Sequence, residues 1–276
     1  MPNNFEGKIA AIEALRSAAH GNALEPIRKA LRDRNSLLCA KAAAVSGDLL
    51  LREAIPDLLA AFDRLLKDPA RSDPQCWGKI AIVKALKDLG HDDPAVYLSG
   101  IAHRQTFVDA ESTLRGACAL ALVACSLPRE AILLHLADVL ADPEMRVRID
   151  AARAIAQLPG QDAILMLRVK AQAGDPEPAV IGQCFLSLVG IDPRTSIPFV
   201  ARFLTAAKED LRFEAAAALG ECPDPLAVQT LIARWRIERN AEMKRAIVLS
   251  LGVSRVPEAR EFLDHLRTET DCSPSM

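Results

Sequence analysis

A motif that returns every thirty-odd residues constrains this chain more than any other feature. A hydrophobic position is followed by a basic residue, a run of small residues, and Leu-Gly or a near equivalent. It reads Leu211-Arg212 through Leu219-Gly220, returns as Met243-Lys244 to Leu251-Gly252, and is weaker at Val147-Arg148 to Ile155-Ala156 and Leu114-Arg115 to Leu122-Val123. A period of this length is the signature of a solenoid, in which each unit buries its apolar face against its neighbours. With Gly220 as phase marker, equivalent positions fall at Arg16, Ser46, Lys87, Val123, Ala156, Gly190 and Gly252, with successive spacings of 30, 41, 36, 33, 34, 30 and 32. Eight units follow, each with a small-residue helix first and a second helix opening a few residues after the marker.

Punctuation supports this division. Asp-Pro occurs at 68-69, 73-74, 93-94, 142-143, 175-176, 192-193 and 224-225. An aspartate can accept hydrogen bonds from free helix amides, and proline in the first turn loses no helical bond, so these dipeptides are expected to start helices. The stretch Lys67 to Pro74 accounts for the longest spacing as an enlarged loop, and Ala102 to Asp109 is a second one. Both are expected to be variable surfaces.

Composition fits closely packed helices: alanine and leucine abound, and the 276 residues hold only two tryptophans and one tyrosine. The formal charge of −2 names no partner through bulk electrostatics. The seven cysteines form no CxxC pair and are expected to be reduced core residues of a cytoplasmic protein. No run approaches the roughly 20 apolar residues of a membrane span, and the first residues do not resemble a secretion signal. The expected architecture is all-α, a right-handed α-α superhelix of about eight helical hairpins. It forms a single domain over residues 1–267, with a polar, disordered tail over 268–276.

These residues resemble HEAT repeats, specifically the short phycobilisome-lyase-type HEAT-like repeats, whose pattern has a buried Val-Arg, an Ala-rich first helix and a terminal Leu-Gly. Leu211 to Gly220 and Lys244 to Gly252 carry the likeness best. Departures lie at Ile181-Gly182, where glycine replaces the basic residue, and in the first three units, where Lys8, Leu38 and Lys79 fill that position.

The resemblance implies that second helices line a concave surface. Aligning them on Ala227, and on the repeated Arg-Glu-Ala-Ile of 52–55 and 129–132, points Tyr97, Leu133, Leu134, Leu165, Met166, Val169, Phe199 and Arg202 outward as a protein-binding face. The arginines at 234, 236 and 239 around Trp235 read as a solvated face with the tryptophan in the core. Of the five histidines, none stands at metal-ligand spacing. His135 falls where Leu58 and Leu231 sit and is expected to be a hydrogen-bonded core residue. No phosphate loop or GxSxG turn occurs, so no catalytic residue, cofactor or metal is assigned.

The expectation drawn from these readings is a non-enzymatic interaction scaffold that holds a protein or peptide on its concave face. Self-association is a further option, and near-neutral charge argues against a nucleic-acid partner. The resemblance also implies enzymatic alternatives, namely a bilin lyase-like subunit, a HEAT-like DNA glycosylase, and deoxyhypusine hydroxylase, whose paired His-Glu ligands for iron have no counterpart here.

Overall fold

The computed structural model describes residues 4–17, 20–105 and 108–271. Among the described residues the chain is all-helical, with seventeen α-helices and three short 3-10 turns. In chain order the helices are α1 (Asn4–Ala14), α2 (His20–Leu31), α3 (Ser36–Asp48), α4 (Ile55–Lys67), α5 (Pro69–Ser72), α6 (Trp77–Asp88), α7 (Pro94–Ala102), α8 (Val108–Leu122) and α9 (Arg129–Val139). There follow α10 (Met145–Ala156), α11 (Gln161–Ala173), α12 (Pro178–Ile191), α13 (Pro193–Ala201), α14 (Glu209–Glu221), α15 (Pro225–Ile237), α16 (Ala241–Val253) and α17 (Pro257–Asp271). Setting aside the one-turn α5, which lies in the first enlarged loop, these are the eight expected hairpins. α17 carries the helix to Asp271, past Arg267 where the sequence reading ended the array. Residues 272–276, including Cys272, lie outside the described residues.

The helices fall into two compact units, residues 1–154 and 155–276. In the first, α1 packs on α3, α3 on α6 and α6 on α8, while α2 packs on α4. In the second, α12 packs on α14 and α14 on α16, while α13 packs on α15 and α15 on α17. First helices therefore stack on first helices and second on second, which is what repeats that bury their faces only against neighbours must do. The alanines make this close: Ala42, Ala43, Ala151, Ala152, Ala154, Ala215, Ala216 and Ala218 are all buried. At Gly220 the approach is closest, because a Cβ there would collide with the Ser250 carbonyl of α16.

The basic residue of the repeat has a structural task that the sequence left unstated. Lys79 Nζ donates to the Asp73 carbonyl (3.1 Å), Arg148 Nη1 to the Asp142 carbonyl (2.9 Å) and Arg212 Nη1 to the Ala206 carbonyl (3.1 Å), each reaching back six residues. The side chain fastens the inter-repeat loop to the helix that follows and satisfies a carbonyl that no helix pairs. Where Gly182 replaces it, Lys170 holds the loop instead, 2.8 Å from the buried Asp175 carboxylate.

The Asp-Pro aspartates divide into groups. Asp93, Asp192 and Asp224 cap α7, α13 and α15 as expected, accepting from Ala95 N, Thr195 N and Leu226 N. Asp73, Asp142 and Asp175 accept from the amides of Gly78 and Lys79, of Glu144 and of Glu177, and in addition turn inward to pair with Lys79, Arg115 and Lys170. Asp68, before α5, makes no side-chain cap. Arg115 holds Asp142 through two 2.9 Å bonds with both side chains almost wholly buried. The two enlarged loops meet. The Gln105 amide nitrogen donates to the carbonyls of Pro69, Asp73 and Pro74, and its oxygen accepts from Lys79, which knots the second enlarged loop to the first.

All six described cysteines are free and buried. Burial pushes the Cys39 thiol up to about 11 and the Cys184 thiol to about 12, which keeps both protonated and poorly nucleophilic. No described helix is long and apolar enough to cross a membrane.

Candidate functional site

Helix phase decides which side chains a repeat presents, and it differs between hairpins. Arg52-Glu53-Ala54 form a 3-10 turn before α4, whereas the matching Arg129-Glu130-Ala131 already belong to α9. Three residues wound at 3.0 rather than 3.6 per turn rotate the following helix by about 60°. The two segments therefore bury partly different positions: Leu58 and Phe62 are wholly buried in α4, while α9 buries Ile132, Leu133, Leu136 and Val139, of which only Val139 matches a residue buried in α4, Phe62.

This rotation corrects two expectations. Leu133 is core at 5% exposure, and His135 leaves the core for the surface of a cleft. Tyr97 is also core, at 0% exposure, because counting from the first-turn proline Pro94 sets α7 one residue away from the register assumed for it. Its hydroxyl donates to the His91 carbonyl (3.0 Å). Phe199 is only 6% exposed, since the Arg168 guanidinium covers its ring and Phe203 packs against it at 5.5 Å. Leu134, Leu165 and Val169 are exposed, Arg202 is exposed, and Met166 is half-buried. The continuous apolar column expected from the sequence is thus interrupted by the burial of Tyr97, Leu133 and Phe199.

In the first unit, α7 and α9 border a cleft of about 380 Å³. Leu98, Ile101, Ala102 and Val139 give it apolar walls, and Arg104, His135, Asp138 and Asp142 bring polar groups to it. Arg104 Nη1 donates to the carbonyls of Ile101 (2.9 Å) and His103 (3.0 Å), which caps the end of α7 and fixes the guanidinium. Its Nη2 stands 3.7 Å from Asp142, a looser contact than the two bonds Arg115 makes to the same carboxylate. Arg104 remains over half exposed, so one edge of its guanidinium faces water. Imidazole both donates and accepts hydrogen bonds, and histidine is the commonest acid–base group of active sites.

In the second unit, Arg168 of α11 and Arg202 after α13 stand 5.0 and 5.8 Å from the centroid of the Phe199 ring. Arg168 Nη2 donates to the Thr195 carbonyl (2.7 Å), while its buried Nε has no hydrogen-bond partner. Because the two guanidiniums are no farther apart than the sum of those distances, they repel by at least about 1.5 kcal/mol at an effective dielectric of ~20. Cation–π attraction of about 0.5–1 kcal/mol at each offsets this in part. Farther along, Trp235 is half-buried rather than core, edge-on to Phe262 at 5.3 Å with Lys244 4.4 Å above its ring.

Among the described residues no three histidine, cysteine, aspartate or glutamate side chains converge on a point that could hold a metal ion.

Comparison with known proteins places the later repeats. A family model described as HEAT repeats matches residues 167–252. This segment is an array of HEAT repeats. The match spans α12 to α16 and contains the two best copies of the motif, at Gly220 and Gly252. No curated protein matches the sequence. Among solved structures, human deoxyhypusine hydroxylase in complex with glycerol aligns over 91% of both chains, with 20% identity and a TM-score of 0.36. The non-enzymatic scaffold expected from the sequence is corrected on the geometry: the apolar face on which it rested is interrupted by the burial of Tyr97, Leu133 and Phe199.

Proposed function

We propose that this protein binds a small polar molecule in the α7–α9 cleft, with His135 as the group that exchanges a proton with it. The reading rests on one observation: Arg104, His135 and Asp138 line the same cleft over apolar walls. Small-molecule sites have this composition, a mostly apolar concavity with a few polar groups that fix orientation. The arginine and imidazole are donors and the aspartate is an acceptor, so the ligand carries an acidic group at one end and a hydroxyl or amine at the other. Small hydroxy acids and amino acids have this pattern.

Thermal denaturation in the presence of a panel of malate, citrate, serine and glutamate tests the reading, followed by calorimetric titration of any stabilising compound. Binding is expected to weaken about tenfold or more in Arg104→Ala, the loss of one charge-assisted hydrogen bond. His135→Ala is expected to lower affinity. No stabilisation by any member of the panel, or equal binding by both variants, would sink the proposal.

A further inference from the structure

We infer that the second unit holds a separate site for a dianionic phosphate monoester, formed by Arg168 and Arg202 on either side of the surface over Phe199. Both guanidiniums lie within 5.8 Å of one ring centroid, so they are no farther apart than twice that distance. Neither forms an ion pair with any described carboxylate, and neither does Arg194, exposed on the same helix as Phe199. The other carboxylate near Arg168 is that of Asp192, and it is already engaged. It accepts from Thr195 Oγ1 (2.6 Å) and Thr195 N, which, with Arg168 a lesser contributor, hold it below the usual aspartate range.

Arg28, Arg115, Arg212 and Lys170 have carboxylate partners within 3.0 Å. The pair at Phe199 instead brings two guanidiniums to one ring with no ion pair to either. An anion that bridges two guanidiniums relieves their repulsion. A dianion matches two positive charges better than a monoanion does. Beside the arginines, exposed Leu165 and Val169 on α11 offer an apolar ledge, so the ligand joins a phosphate to an apolar body.

Calorimetric titration of the full chain with phenyl phosphate tests this, with dimethyl phosphate as the monoanionic diester control. Saturable binding of phenyl phosphate is expected, weakened about tenfold or more in Arg202→Ala. Arg168→Lys keeps the charge while removing the guanidinium geometry, and is expected to weaken binding with the circular dichroism spectrum unchanged. No saturation up to about 10 mM, a weaker affinity than a paired-arginine site implies, would overturn the assignment. Equal affinity for dimethyl phosphate would overturn the dianion, and equal binding by both variants would place the ligand elsewhere. Arg104→Ala serves as the control for the α7–α9 cleft: loss of phenyl phosphate binding there instead would also refute the site.

Discussion

The hairpin of α8 and α9 and the hairpin of α14 and α15 solve one repeat position in opposite ways. Arg115 is sunk to 1% exposure and grips Asp142 through two bonds. Arg212, at the same point of the motif, is 21% exposed, and its carboxylate partner Glu209 is 41% exposed. The same letter in the sequence is thus a buried electrostatic anchor in one unit and a partly solvated clasp in the other. What differs is the source of the carboxylate: the Asp-Pro of the loop before α10, 27 residues on, reaches back to Arg115, whereas Arg212 meets Glu209 of its own helix and the Ala206 carbonyl of the loop before α14.

The sharpest way to break this comparison is to truncate both arginines. Arg115→Ala leaves the Asp142 carboxylate buried without its main partner and is expected to destabilise the protein by about 3–5 kcal/mol in urea unfolding. Arg212→Ala removes a partly exposed pair and one loop bond, for about 1 kcal/mol. Equal losses would show that burial does not distinguish the two positions.

Packing provides the next contrast. Gly220→Ala drives a methyl group into the backbone of α16 and is expected to cost about 1–3 kcal/mol. At Gly190 a methyl group meets nothing within 4 Å, so Gly190→Ala is expected to stabilise its helix by about 0.5–1 kcal/mol. A thermal melt in which both variants move the same way would contradict the close approach of α14 and α16.

The smallest effect concerns Glu214, whose carboxylate lies over Gly182 of α12. Burial, with help from Asp210, raises its affinity for a proton above that of an ordinary glutamate. Ionising it therefore disfavours the folded state: its contribution is most favourable below the usual glutamate range and is lost as pH rises through the elevated value. Glu214→Gln is expected to raise the melting temperature at neutral pH by less than about 2 °C, with the gain vanishing near pH 4. A gain that persists at pH 4 would mean that packing, rather than charge, is responsible.

Much of the architecture was legible because it depends on periodicity. The eight hairpins follow from markers such as Gly220 and Gly252, and the caps at Asp93, Asp192 and Asp224 from their dipeptides. What escaped the sequence was rotation. Whether Arg-Glu-Ala opens a helix as 3-10 or α turns the downstream face by more than half a residue step, and that alone moved His135 from the core to the cleft and Leu133 into the core. The ion pairs of Asp73, Asp142 and Asp175 were hidden for a related reason: a dipeptide shows that a helix is near, and only the position of a cation decides whether its carboxylate pairs as well. Phe199 was misplaced because Arg168, distant in sequence, covers its ring.

The Gln105 knot limits how this molecule can diverge. Its amide nitrogen faces three carbonyl oxygens, so even the isosteric glutamate would set an anion against acceptors. Residues on either side can drift, lengthen or be lost, but the two enlarged loops inherit one another's constraints and must change together. A descendant that remodels the edge of the α7–α9 cleft next to Arg104 would therefore have to preserve, or rebuild at once, a contact made more than thirty residues earlier in the chain.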